Sequence, residues 1–116
     1  MNAETFNKKF DALIDKERSI RDAKRNDYTG SHSPFFAFER AGDSMNVSAG
    51  LAMLGRMIEK ATRLQVLLQG TKSQVKDETI IDTAVDISII SKLIAIWWED
   101  QTTLDHVTPK QHNADS

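Results

Sequence analysis

The chain has 116 residues, with 15 Lys and Arg against 17 Asp and Glu and a formal net charge of -2. No global field therefore draws nucleic acid to it, direct nucleic-acid binding is not expected, and any anion site must be local. It has no cysteine, which excludes disulfides and cysteine-held metals and makes a reducing cytoplasm the expected compartment. This length fits one domain, expected over residues 1–100, with a polar, disordered tail over 101–116. Met1 to Lys9 lacks an apolar leader segment, and no run of about 18 apolar residues exists to span a membrane.

In chain order, residues 3–25 predict a first helix, because Phe6, Phe10, Leu13 and Ile14 recur at helical spacing among charged residues. Gly30 and Pro34 break it. Residues 26–46 form the longest irregular stretch, with a short helix expected at about 35–41; Tyr28, Phe35, Phe36 and Phe38 argue against disorder there. A second helix is predicted from about Val47 or Ser48 to Gln69, with Leu51, Leu54, Ile58, Ala61, Leu64 and Leu68 as its apolar stripe and Gly70 as its stop. Asp77 suits the N-cap of a third helix over residues 78 to about 99. The short polar connection makes the second and third predicted helices antiparallel neighbours. The expected fold is all-α: an antiparallel hairpin of these two, with the first helix packed across it. Apolar residues nearly all round the third helix point to a homo-oligomer. Of Trp97 and Trp98, one is expected in the core and the other in a dimer contact.

The third predicted helix carries three carboxylates, Glu78, Asp82 and Asp86, at i, i+4 and i+8, hence on one stripe. Buried like charges need compensation, either from Lys and Arg in ion pairs or from a divalent metal with oxygen ligands. The second helix brings Arg56, Glu59, Lys60 and Arg63 to the same neighbourhood. Glu59 offers a fourth carboxylate, and the cations can neutralise the row or hold phosphates. Tyr28 and Phe38 can stack on a flat base, or cap the helical core as Phe35 and Phe36 are expected to do. His32, His106 and His112 lack metal-ligand spacing, and no phosphate-binding loop, dinucleotide fingerprint or nucleophile elbow occurs.

Four segments occur in a telling order: NDYTG at 26–30, PFFAFERAG at 34–42, RMIEKATRLQVLL at 56–68 and VKDETIIDTAVDISII at 75–90. Together they resemble the phage-associated nucleotide modification associated domain 1 family, and the acidic helices are similar to those of MazG-type all-helical nucleotide pyrophosphatases. The resemblance implies a Mg2+-dependent nucleotide-processing protein of the host cytoplasm that hydrolyses a (deoxy)nucleoside triphosphate to monophosphate and pyrophosphate. Glu59, Glu78, Asp82 and Asp86 would be the metal ligands, with Glu59 and Glu78 catalytic. Tyr28, Phe38, Arg56, Lys60 and Arg63 would bind substrate. Two alternatives stand beside it. One is a non-catalytic phage protein that sequesters a nucleotide or nucleotide-derived defence signal; the other is a helical interaction module whose acidic row is only a salt-bridge network. Glu59 stands where the family has Asp, Ala37 where it has Asn, and Ile89-Ile90 where it has Asn-Tyr. These losses of amide groups weigh against catalysis more than against binding.

Overall fold

A computed structural model describes the backbone of residues 1–28, 33–70 and 77–107, and the side chains of 1–24, 33–70 and 79–102. The described residues form α1 (Ala3–Tyr28), α2 (Phe36–Met45), α3 (Ala49–Gln69) and α4 (Asp77–Val107), with no strand. None of these helices is long and apolar enough to cross a membrane.

Local chemistry sets several of the ends. The Asn2 side chain accepts the Thr5 N–H at 2.8 Å, capping α1. Asn46 ends α2 in the left-handed conformation (φ 59°), and the Val47 N–H returns to the Gly42 carbonyl at 2.8 Å. A Cβ at Gly42 would lie 2.6 Å from the Val47 oxygen, so this closure requires glycine. Ser48 then caps α3 directly, its hydroxyl accepting the Leu51 N–H at 3.1 Å. Gly70 does end α3, but in extended backbone (φ -74°, ψ 163°) rather than the left-handed form usual for such a glycine.

Gly50 lies against the Trp97 ring while Lys60 meets Asp86, so α3 and α4 run in opposite directions. Three expectations need correction. The segment between the first two predicted helices is shorter than expected, because α1 reaches Tyr28 and α2 is a full ten-residue helix packed on α3. α4 continues past the expected end near residue 99 to Val107; residues 108–116 lie outside the described residues. And α1 touches α4 only lightly. Its apolar stripe, Phe6, Phe10, Leu13 and Ile14, is 43–55% exposed, and two ion pairs carry much of its contact with α4.

The α3 stripe also faces the other way. Leu51, Leu54, Ile58 and Leu68 are exposed, whereas the buried apolar side chains are Ala49, Ala52 and Met53 of α3 and Val85 and Ile90 of α4. Small residues at 49, 50 and 52 let α4 approach closely, and close approach rather than hydrophobicity selects the packed face. Trp97 packs over Gly50, and Trp98 remains 61% exposed.

The α1–α4 contact should be sensitive to acid. The Glu17 carboxylate meets the Lys92 ammonium at 2.7 Å, and Lys92 also donates to the Ser88 hydroxyl. Burial raises the Glu17 pKa, but hydrogen bonds from Lys92 and Ser88 and the charges of Lys92 and Arg21 outweigh it, leaving it below the ordinary 4.5. A depressed carboxylate pKa stabilises the fold above the ordinary value, and that stability is lost as pH falls toward the lowered value. In a melting series from about pH 6 to pH 3, the wild type should lose stability more steeply than Glu17→Gln. Parallel acid limbs would show that this pair contributes nothing.

Candidate functional site

On α3, Arg56, Glu59, Lys60 and Arg63 are spaced at i, i+3, i+4 and i+7 and share one flank. On α4, Thr79, Asp82, Thr83 and Asp86 do the same. The antiparallel packing brings the two flanks together as the walls of a polar cleft of about 410 Å³. The structure thus gathers Arg56, Glu59, Lys60, Arg63, Asp82 and Asp86, which the sequence singles out. The side chains of Glu78 and Tyr28 lie outside the described residues.

The described carboxylates are matched to cations one by one. The Lys60 ammonium sits 3.0 Å from an Asp86 oxygen, and the two side chains are only 21% and 26% exposed. Asp82 is met at 2.7 Å by Lys16, which reaches across from α1. Glu59 is held at 3.2 Å by Arg56 of its own helix, on the surface. Arg63 makes no ion pair with a described residue. Beneath the row, the buried Thr83 hydroxyl donates to the Thr79 carbonyl at 2.7 Å, so it adds no unmet polar group.

Among the described residues, which leave out the Glu78 side chain, no three carboxylates or histidines are gathered closely enough to hold a metal ion, and one oxygen each of Asp82 and Asp86 is engaged by a lysine ammonium group.

A second cleft, of about 500 Å³, adjoins the first and shares Arg56, Lys60 and Asp86 with it. Its walls are mainly apolar, from Phe38 and Pro34 and from Ile89, Ile90 and Leu93 of α4, and Arg21 and Lys24 of α1 complete the rim. Four cations thus surround one carboxylate, which Lys60 already satisfies. Phe38 lines this cleft, whereas Phe36 lies under the Arg40 guanidinium at 5.8 Å.

Sequence reasoning missed Arg21 and Lys24, which read as solvated spacers of an amphipathic helix. Their i, i+3 spacing at the charged end of α1 is the one available signal. Ile89 and Ile90 read as the loss of polar substrate contacts. In the structure they form apolar wall, with Ile90 buried. Comparison with protein-family models, curated proteins and solved structures finds no match.

Proposed function

We propose that the chain binds a nucleotide or nucleotide-derived anion across the two adjoining clefts. The observation that carries this reading is that Arg56 and Lys60 line both of them. A ligand straddling that boundary places phosphate oxygens on Arg56, Lys60 and Arg63, where charge-assisted hydrogen bonds are strongest. Its flat apolar part then lies against Phe38, Ile89 and Leu93. A cleft of about 500 Å³ is of the size that takes small ligands. Pairing of the carboxylates with Lys16, Lys60 and Arg56 offsets their repulsion of an anion in the polar cleft. This favours binding without turnover: a protein that sequesters its ligand, as the resemblance to a phage-associated family allows for a defence signal in the host cytoplasm.

The second reading is magnesium-dependent hydrolysis of a nucleoside triphosphate. It is favoured by the convergence of Glu59, Asp82 and Asp86 with Arg56, Lys60 and Arg63 on one cleft. It requires Lys16 and Lys60 to release their carboxylates first.

A panel of nucleoside mono-, di- and triphosphates and cyclic nucleotides, each with magnesium and with EDTA, separates the readings. Thermal shift reports binding, and phosphate or pyrophosphate release reports turnover. Sequestration is expected to give a shift in EDTA with no release. Release that depends on magnesium would establish the second reading, and no shift with any nucleotide would remove both. For a ligand that binds, Phe38→Ala should weaken affinity about tenfold through lost ring contact, as read by isothermal titration.

A further inference from the structure

The apolar cleft has a floor and two charged walls. Asp86, Ile89, Ile90 and Leu93 of α4 form the floor. α1 and α3 each pack on α4, and their described residues do not pack on one another. Their cations therefore stand on separate walls: Arg21 and Lys24 from α1, Arg56 and Lys60 from α3. A ligand with one phosphate tail on Arg56, Lys60 and Arg63 uses the α3 wall and the floor. It leaves the α1 wall without a role.

The α1 wall has charge to offer. Arg21 and Lys24 are three residues apart and share one side of the helix. Lys24 is exposed and makes no ion pair with a described residue. Arg21 meets Asp22 at 2.9 Å, but that pair is exposed and adjacent in sequence, so it holds the guanidinium weakly against a competing anion. Asp86 on the floor already accepts Lys60 at 3.0 Å and leaves the α1 wall uncompensated. Between the walls, Ile89, Ile90 and Leu93 return no hydrogen bond to a charged group that loses water there. An apolar floor between two cationic walls suits a ligand whose middle is uncharged and whose ends are anionic.

We infer that the ligand is a nucleotide phosphorylated at two separate places, with one phosphate on each wall, rather than one that carries its phosphates in a single tail. This ligand class rests on the reading that the clefts hold a nucleotide, and it gives Arg21 and Lys24 the second phosphate to bind.

Isothermal titration in EDTA tests it with the 3′,5′-bisphosphates and the 5′-diphosphates of adenosine, guanosine, cytidine and uridine. The two members of each pair carry the same number of phosphates and differ in where they sit. For at least one nucleoside the bisphosphate is expected to bind about tenfold more tightly than the diphosphate. Arg56→Ala should weaken both. Lys24→Ala should cut the preference to about threefold or less, and Arg21→Ala should lower it in the same direction. Lys9→Ala removes the same charge from an exposed position of α1 outside the cleft and should leave the preference as it is. A diphosphate that binds as tightly as its bisphosphate, a preference that survives both Lys24→Ala and Arg21→Ala, or one that Lys9→Ala lowers equally, overturns the inference and leaves nucleotide binding standing. Binding by other nucleotides of the panel but by none of the bisphosphates does the same. Failure of every nucleotide to bind removes the reading beneath it as well.

Discussion

Gly50→Ala should destabilise the fold by about 2 kcal/mol, lowering the melting temperature by roughly 10 °C in a domain of this size. The new Cβ would lie 2.4 Å from Trp97 Cζ3, 2.8 Å from Cη2 and 2.9 Å from Cε3. Those three atoms belong to one rigid bicyclic ring, so no small torsion clears them all. Either the ring swings out or α3 and α4 separate, and separation loosens Ala49, Ala52 and Met53 against Val85 and Ile90. Alanine's better helix propensity returns up to about 1 kcal/mol, which the figure already includes. Combining the change with Trp97→Leu should remove most of the loss, since the two sites act through one contact. A melting temperature unchanged in Gly50→Ala would mean that α3 and α4 do not pack as closely as described.

Asp86→Asn has the second large effect, and its sign decides between two roles for the acidic row. Lys60 and Asp86 are 21% and 26% exposed, 3.0 Å apart. If they form a structural ion pair, neutralising Asp86 strands a largely buried ammonium. Breaking a fully buried pair costs roughly 3–5 kcal/mol, and residual exposure reduces this to about 2 kcal/mol. If the carboxylates instead await a metal, removing one relieves repulsion and the magnesium-free protein becomes more stable. Melting curves of wild type and Asp86→Asn, in EDTA and in magnesium, separate the two. The arrangement of the described residues leads us to expect a less stable variant in EDTA and little response to magnesium in either protein.

Much of the helix content was legible from periodicity, and the convergence of Arg56, Lys60 and Arg63 with Asp82 and Asp86 followed from their spacing once two antiparallel helices were expected. The facing of α3 was not legible. Periodicity marks Leu51, Leu54 and Ile58 as the buried stripe, but packing follows the small face of Ala49, Gly50 and Ala52, which admits a tryptophan ring from α4. A hydrophobic pattern marks a stripe as apolar, not which element packs against it. Lys60 beside Asp86 lay within the expected neighbourhood, whereas the pairing of Asp82 with Lys16 was hidden, because Lys16 comes from a helix distant in sequence. For the same reason Arg21 and Lys24 could not be assigned to the rim of the apolar cleft.

If, as proposed, the two clefts hold a nucleotide-type anion through their shared cations, binding needs no metal. Isothermal titration, in EDTA, of the best ligand from the nucleotide panel into wild type and Arg56→Ala checks this. Among the described residues Arg56 pairs with the exposed Glu59 alone, so its loss should leave the fold intact. Wild type should bind measurably, binding should weaken with added salt, and Arg56→Ala should lose at least tenfold in affinity. No binding in EDTA, or equal binding by wild type and Arg56→Ala, would contradict it.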